Sequence, residues 1–189
     1  MSVPLFLLAM LAALFTFLSP AIASTWLKTG KQTTRPYGHV EYCTRNASDC
    51  SGRSAGSVLP PVRKNILNAV NREVNRSIKA ASDQTAFGRK EFWTAKARTG
   101  DCEDFALAKR AKLLRIGFKP SQLLLTMGYS GSEAHTVLVV RTRDGDYVLD
   151  NLHDEVMPVQ SARMSFRKIQ APEHGGKWLQ ITGKTGRAP

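Results

Sequence analysis

The chain has 189 residues and carries 27 lysines and arginines against 15 aspartates and glutamates, a formal net charge of +12 at neutral pH. This length is enough for one domain with one hydrophobic core. A basic surface favours anionic partners such as acidic protein loops, lipid headgroups, cell-wall polymers or nucleic acid. The sequence has neither zinc-finger spacing nor the aromatic-basic pattern of RNA-binding strands, so nucleic acid is not expected as a partner.

The first 23 residues have the pattern of a secretory signal. Residues 4–18 are uncharged and almost wholly apolar, Ser19 and Pro20 end this run, and alanines at positions 21 and 23 suit a signal peptidase. No lysine or arginine precedes the run, which leaves a membrane anchor as the alternative, but the run is short for a span of about 20 residues. We expect cleavage after residue 23. The mature chain, residues 24–189, would be a single domain that is periplasmic or secreted, without stable membrane insertion.

The chain contains three cysteines, and in an oxidising compartment an odd number leaves one thiol unpaired. Cys43 and Cys50 lie in one polar stretch and could close a small loop, whereas Cys102 lies in a different setting. The simplest pairing is a Cys43–Cys50 disulfide with Cys102 free, although the sequence alone leaves the other pairings open.

The first half of the mature chain predicts one helix. Residues 24–58 show no lasting periodicity and are predicted to be an extended segment with loops. A proline pair follows, and apolar residues then recur at every fourth position: Val62, Ile66, Val70, Val74 and Ile78. This spacing predicts an amphipathic helix over about 62–81.

A second helix is predicted from Asp101 or Cys102 to Ile116. Asp101 is a good N-cap residue, and Gly117 is typical of the position that ends a helix. Cys102 falls in the first turn, on the apolar side that would meet the core. Lys109 is the one polar residue on that side.

The rest of the chain predicts strands. Residues 123–129, 135–142 and 146–150 are short and rich in aliphatic or β-branched residues, and 166–170 and 178–182 could add two more strands. Asp144-Gly145 is a strong hairpin signal between the second and third of them. Helices followed by antiparallel strands indicate an α+β domain.

Three residues of these elements form a candidate nucleophilic site. Cys102 lies where the free backbone N–H groups and the dipole of a helix favour a thiolate. His135 opens a strand after a Gly/Ser loop, a position that suits a base, and Asp150 ends the returning strand. The order of cysteine, histidine and aspartate along the chain predicts Cys102 as nucleophile, His135 as base and Asp150 as the residue that orients the base.

The hairpin arithmetic leaves a second aspartate as an alternative. A two-residue turn at Asp144-Gly145 would pair Val139 with Asp150 and His135 with Asp154. His135 and Asp150 would then share a sheet face but be offset by four residues, roughly 13 Å at about 3.3 Å each. A bulge or a shifted turn is needed to bring them together, and Asp154 therefore competes for the orienting role.

Carboxylates surround the candidate nucleophile. Asp101, Glu103 and Asp104 fall within four residues, and negative charges of this kind raise the pKa of a neighbouring thiol. Either they point away as helix-capping residues or a cation neutralises them. Oxygen donors so close together would suit Ca²⁺, although the spacing is not that of an EF-hand.

The block from Gly100 to Ala106 (GDCEDFA) resembles the active-site motif of the bacterial transglutaminase-like cysteine proteinases. Residues 134–138 (AHTVL) and 147–152 (YVLDNL) resemble the same family, as do 36–43 (PYGHVEYC) and Phe92-Trp93. The resemblance extends over roughly residues 36–160, most of the mature chain. The GDCEDFA and YVLDNL blocks are specific when they occur together.

The resemblance implies a papain-like transglutaminase core, in which N-terminal helices pack on an antiparallel sheet. It also implies a Cys102–His135–Asp150 triad and so favours Asp150 over Asp154.

The best understood relatives are periplasmic proteinases that cleave large biofilm adhesins and need calcium, which binds the acidic residues flanking the cysteine. Asp101 and Glu103 match those ligands, and Asp104 also matches the block. This chain looks shorter than those adhesin proteinases.

Together these observations predict an exported cysteine endopeptidase that cleaves a surface adhesin or another envelope protein through a thioester acyl-enzyme. Two alternatives remain open. A transglutaminase- or deamidase-type acyltransferase acting on glutamine side chains would use the same three residues. A non-catalytic basic module that binds anionic envelope components would have an inert Cys102 with an ordinary thiol pKa of about 8.5.

Overall fold

The structure is a computed structural model that describes residues 24–53 and 59–186. The predicted signal, residues 1–23, lies outside the described residues. Within the described ranges, no helix combines the length and the apolar character that crossing a bilayer requires.

The described residues contain four α-helices and nine strands. The helices are α1 (Tyr37–Arg45), α2 (Lys64–Ser77), α3 (Asp83–Phe87) and α4 (Cys102–Arg115). The strands are β1 (Trp26–Thr33), β2 (Lys79–Ala80), β3 (Thr99–Gly100), β4 (Leu123–Ser130), β5 (Glu133–Thr142), β6 (Gly145–Leu149), β7 (Met157–Pro158), β8 (Ser165–Ala171) and β9 (His174–Thr185).

Seven of the strands form one antiparallel sheet in the order β1-β9-β8-β4-β5-β6-β7. The short strands β2 and β3 form a separate parallel pair just before α4. Helix α4 packs on β5, and α2 packs on α4. The prediction of an α+β domain with helices packed on an antiparallel sheet is confirmed, although β1 precedes the helices in the chain.

The sheet has a hydrophobic core on each face, which explains why its central strands are apolar almost throughout. Toward the helices, Leu125 and Leu138 pack with Leu67 of α2 and Phe105 of α4. A second cluster fills the opposite face: Leu27, Leu124, Val137, Val139, Val148, Val159, Phe166 and Ile169. Because strand residues point alternately to the two faces, successive apolar residues of β4 and β5 enter different cores.

A buried ion pair links the first strand to the β5–β6 hairpin. The Arg141 guanidinium bonds both carboxylate oxygens of Asp146 at 3.0 Å, and the Asp146 side chain is fully buried. Asp146 Oδ2 also accepts from the Leu27 N–H at 2.9 Å, while Arg141 donates to the Leu27 carbonyl at 3.3 Å. The pair thus holds the outer strand β1 against the hairpin, so the sheet curls back on itself.

The prediction of an extended, loop-rich segment over residues 24–58 is wrong where α1 forms, whereas β1 is extended. Residues 54–58 of that segment lie outside the described residues. β1 buries only its first two residues, Trp26 and Leu27, so it lacks the alternation expected of a strand. The buried face of α1 consists of Gly38, His39, Tyr42 and Cys43, which a search for aliphatic periodicity passes over.

The two predicted helices are present with small changes. α2 ends at Ser77 rather than near residue 81, because Ile78 has an extended backbone and β2 follows. α4 ends at Arg115, and Gly117 follows it with a positive φ of 93°. Asp101 occupies the N-cap position of α4, but its side chain makes no capping hydrogen bond.

Cys43 and Cys50 form a disulfide, and Cys102 is a free thiol, as the simplest pairing predicted. The disulfide ties the C-terminal part of α1 to the short 3₁₀ turn Ala47–Cys50. Both of its sulfur atoms contact the ring of His39, at 3.7–3.9 Å.

We expect Asp146→Asn to lower the free energy of unfolding by about 3 kcal/mol, because it leaves the Arg141 guanidinium buried against a neutral amide. Urea unfolding at neutral pH measures this loss. Glu155→Gln is the matched control, since the Glu155 side chain is 81% exposed and pairs with an exposed Arg72. We expect it to change stability by less than about 1 kcal/mol. Equal losses in the two variants would contradict the role of Asp146 in closing the sheet.

Candidate active site

Cys102 lies in the first turn of α4 and faces β5. Its Sγ accepts a hydrogen bond from the Thr136 N–H at 3.4 Å, and the thiol donates to Glu103 Oε2 at 3.0 Å. The other oxygen of Glu103 accepts from Thr136 Oγ1 at 3.1 Å. Because Thr136 follows His135 in β5, these contacts place the thiol at the strand position next to the histidine.

His135 and Asp150 form a buried pair. His135 Nε2 lies 2.8 Å from Asp150 Oδ1, and the same oxygen accepts from the Leu152 N–H at 3.0 Å. Burial acts to raise the pKa of the Asp150 carboxyl, but the hydrogen bonds from His135 and Leu152 outweigh it, so the pKa is lowered. Asp150 is therefore ionised at neutral pH and fixes one nitrogen of the imidazole.

The register of the β5–β6 hairpin makes this contact possible. Thr142 pairs with Gly145 and Leu138 with Leu149, so the turn residues are Arg143-Asp144 and not Asp144-Gly145 as predicted. Continued past the end of β6, this register sets Asp150 opposite Val137, two residues from His135 instead of four. Diagonal neighbours at that separation are within reach of long side chains.

Contacts with the segment before α2 explain the shifted turn. The Arg143 N–H donates to the Pro60 carbonyl at 3.0 Å, and Asp144 Oδ2 accepts from the Val62 N–H at 2.7 Å. Gly145 opens β6 with a positive φ of 121°, which other residues rarely adopt. Tertiary hydrogen bonds thus override the turn preference of the Asp-Gly pair.

Asp154, the alternative to Asp150, has different partners. Its carboxylate accepts from Asn75 Nδ2 at 3.4 Å, and its carbonyl accepts from Asn71 Nδ2 at 3.0 Å. The structure therefore places Asp150, and not Asp154, against His135.

Three aspartates meet beside the start of α4, and we call them the acidic cluster: Asp83, Asp101 and Asp104. Each contributes a carboxylate oxygen within 4.8 Å of the others. Asp83 Oδ1, Asp101 Oδ1 and Asp104 Oδ2 are buried and have no hydrogen-bond partner among the described residues. The close approach requires Gly100, because a Cβ there would lie 2.0 Å from Asp104 Oδ2.

Burial opposes ionisation of the acidic cluster. Burial, together with the hydrogen bond and the charge of Glu103, raises the pKa of Asp101 to about 7. Burial, together with repulsion from Asp101 and Asp83, raises the pKa of Asp104 to about 8. The pKa of Asp83 is raised as well, mainly by burial. Buried oxygen donors without partners, all from carboxylates, fit a hard divalent cation such as Ca²⁺.

The two residues predicted as metal ligands are neighbours in the structure, because the Asp101 and Glu103 side chains are hydrogen-bonded to each other. Asp101 belongs to the acidic cluster, and the Glu103 carboxylate also contacts the Cys102 thiol and Thr136. Asp83 was missed by the sequence reasoning, because no motif connects it to Asp101.

The thiol is protonated in this arrangement. Burial, together with the negative charge and the hydrogen bond of Glu103, raises the pKa of Cys102 well above its ordinary value. The Thr136 N–H acts in the opposite direction but does not balance these effects.

Comparison with known proteins identifies the family. The bacterial transglutaminase-like cysteine proteinase family matches residues 29–186, which span the acidic cluster and the Cys102, His135 and Asp150 positions. The chain belongs to this family. The chain is therefore a cysteine peptidase, and the resemblance carried by the GDCEDFA and YVLDNL blocks is confirmed.

Solved structures of another bacterial protein share the fold. LapG of Legionella pneumophila is 25% identical with a TM-score of 0.52, over 61% of this chain and 68% of LapG. A calcium-bound structure of the same LapG is 19% identical with a TM-score of 0.52, over 79% of this chain and 82% of that one. These neighbours confirm the predicted transglutaminase-like fold. A search of curated proteins finds no match.

We expect Asp150→Asn to lower the free energy of unfolding at pH 7 by about 1–3 kcal/mol, because the His135 ring loses its ionised partner. The lowered pKa of Asp150 means that its contribution is complete above the unfolded value of about 3.9 and is lost as the pH falls below it. The difference between variant and wild type should therefore be smaller at pH 3 than at pH 7, as measured by urea unfolding.

Asp154→Asn is the control for this measurement, because it removes a carboxylate of the same turn that does not contact His135. We expect a smaller loss at pH 7 than for Asp150→Asn. A loss for Asp150→Asn that is the same at both pH values would contradict the interpretation that the ionised Asp150 carboxylate stabilises the fold.

Proposed function

We propose that this proteinase is an exported cysteine endopeptidase that uses Cys102, His135 and Asp150 to cleave a protein of the cell envelope or surface. The observation that carries the proposal is the His135–Asp150 hydrogen bond at the strand position next to the Cys102 thiol. An imidazole held by an ionised carboxylate beside a thiol at a helix start is the arrangement that nucleophilic acyl transfer requires.

The reaction would run through a thioester. Because Nε2 of His135 is engaged by Asp150, Nδ1 is the nitrogen free to take the thiol proton. The sulfur then attacks the peptide carbonyl, and the backbone N–H of Cys102 is one candidate donor to the resulting oxyanion. His135 returns the proton to the leaving amine as the C–N bond breaks. Water, deprotonated by the same imidazole, hydrolyses the thioester and frees Cys102.

Calcium is the proposed cofactor, bound by the acidic cluster together with Glu103. The buried, unpartnered oxygens of Asp83, Asp101 and Asp104 supply a donor set of the kind that Ca²⁺ prefers. When bound, the ion would supply positive charge that offsets the carboxylates around the nucleophile. The calcium-bound LapG structure among the fold neighbours supports this choice of metal.

The proposed substrate is a surface adhesin or another envelope protein. Family membership implies a protein substrate, and the signal-like pattern of residues 1–23 supports a periplasmic or secreted location. The net charge of +12 favours substrates with acidic segments around the cleaved bond.

We expect Cys102→Ala to abolish cleavage of a fluorescent casein or envelope-protein substrate. His135→Ala should slow alkylation of Cys102 by iodoacetamide at pH 7.5 by about 100-fold or more, because general-base assistance is lost. Asp150→Asn should slow both reactions, whereas Asp154→Asn should leave them close to wild type. Proteolysis that survives Cys102→Ala would overturn the proposal. Ammonia release from glutamine peptides without backbone cleavage would favour the acyltransferase alternative.

We expect calcium to raise the stability of the wild-type protein by about 2.7 kcal/mol at a hundred times its dissociation constant. Isothermal titration calorimetry and thermal unfolding measure binding and stabilisation independently of activity. Asp83→Asn and Asp101→Asn should each weaken calcium binding. Glu103→Gln tests whether Glu103 is also a calcium ligand. Asp144→Asn, at the β5–β6 turn, is the control. Calcium affinity that is unchanged in Asp83→Asn would exclude the acidic cluster as the binding site.

A further inference from the structure

Glu103 differs from the three aspartates of the acidic cluster in how its oxygens are used. Each of those aspartates has a buried oxygen without a hydrogen-bond partner among the described residues. Both oxygens of Glu103 are engaged: Oε2 accepts from the Cys102 thiol at 3.0 Å, and Oε1 accepts from Thr136 Oγ1 at 3.1 Å. The carboxylate that contacts the proposed nucleophile is therefore held by partners that are not metal ligands.

Thr136 is the strand residue that fixes Glu103 in this position. It is 1% exposed and lies in β5 directly after His135, where it pairs with Met127 of β4. Its backbone N–H also donates to Cys102 Sγ at 3.4 Å. One buried residue of a central strand thus contacts both the thiol and the carboxylate, and it anchors their contact with each other.

The contact with Glu103 directs the thiol proton away from the proposed base. A thiol has one S–H bond, so it donates in one direction at a time. Here it donates to Glu103, and among the described residues no hydrogen bond joins Cys102 to His135. Glu103 therefore occupies the donor of the thiol that His135 would need to deprotonate.

Glu103 has a second set of partners within reach. Its side chain is hydrogen-bonded to that of Asp101, which belongs to the acidic cluster. The Glu103 side chain is only half-buried, so it can change rotamer without repacking of the core. The carboxylate can thus stay with the thiol and the Thr136 hydroxyl, or it can turn to the cluster.

We propose that Thr136 is a positioning residue that holds Glu103 against the Cys102 thiol in the metal-free protein, and that Glu103 leaves this position when calcium binds. The inference rests on the proposed function for its choice of calcium, and it adds a regulation of the nucleophile. Once Glu103 has turned to the acidic cluster, the thiol has lost its acceptor and its proton is available to His135. The Thr136 hydroxyl therefore stabilises the resting arrangement and opposes calcium binding.

The test is the calcium affinity of Thr136→Val, measured by isothermal titration calorimetry. Valine has nearly the shape of threonine and suits a strand, but it cannot donate to Glu103. The variant loses a hydrogen bond to a carboxylate that only the metal-free protein makes, so it should bind calcium about five- to tenfold more tightly than the wild type. Thr136→Ser keeps the hydroxyl and should bind calcium within about twofold of the wild type.

Thr126→Val is the matched control. Thr126 is a buried threonine of the neighbouring strand β4, and its hydroxyl donates to the Leu124 carbonyl at 3.0 Å. This variant should bind calcium as the wild type does. A calcium affinity of Thr136→Val that equals that of Thr126→Val, or is weaker, would overturn the inference.

Thermal unfolding gives the same comparison through stability. Thr136→Val should lose more stability without calcium than in saturating calcium, because the lost hydrogen bond is absent from the calcium-bound protein. Thr126→Val should lose the same amount in both conditions. A loss for Thr136→Val that is independent of calcium would argue against a contact that calcium breaks.

A second measurement uses the wild-type protein and covers the case in which Thr136→Val does not fold. The methyl resonance of Thr136 is followed by NMR as calcium is added, and the methyl resonance of Thr126 is the reference. Departure of Glu103 should shift the Thr136 resonance in step with calcium binding, while the Thr126 resonance stays in place. A Thr136 resonance that does not move as calcium binds would overturn the inference.

These outcomes separate the inference from the proposed function. A wild-type protein that binds no calcium would overturn both the proposed cofactor and the inference. Calcium binding that Asp83→Asn weakens but Thr136→Val does not tighten would overturn the inference alone. Proteolysis that survives Cys102→Ala would overturn the proposed nucleophile, whereas the calcium titrations do not depend on it.

Discussion

The contact between His135 and Asp150 depends on the register of one hairpin. A slip of one residue between β5 and β6 would turn Asp150 to the opposite face of the sheet, and a slip of two would restore the offset that keeps it out of reach. The register is fixed near the turn by the buried Arg141–Asp146 pair, which is a directly opposed cross-strand pair. Since Asp146 also holds β1 through Leu27, closure of the sheet and alignment of the site rest on the same buried charges.

The site contains two groups of buried carboxylates whose pKa values are shifted in opposite directions. The acidic cluster gathers three carboxylates whose pKa values are all raised, whereas the Asp150 carboxylate, paired with His135, has a lowered one. Carboxylates with raised pKa values are destabilised when ionised and gain most from a cation. A carboxylate with a lowered pKa is already satisfied by its partners. The two sets of acidic residues therefore suit the different tasks proposed for them, metal binding and orientation of a base.

Features set by local sequence could be predicted, and features set by distant contacts could not. Cys102 at a helix start and Gly117 at its end follow from spacing and backbone preference. The hairpin turn was misplaced by one residue because Pro60 and Val62 bond to it from outside. Asp83 was missed for the same reason, since only the fold brings it to Asp101. β1 was missed because its strand character comes from pairing with β9 at the far end of the chain.

The first turn of helix α4 brings the proposed nucleophile and the acidic cluster together. Cys102 is surrounded there by carboxylates that hold the thiol protonated, so a cation bound at the acidic cluster would act on the proposed nucleophile. The Asp150 carboxylate is already satisfied by hydrogen bonds from His135 and from the Leu152 N–H. Calcium would then change the state of the thiol while leaving the His135–Asp150 pair as the fold sets it.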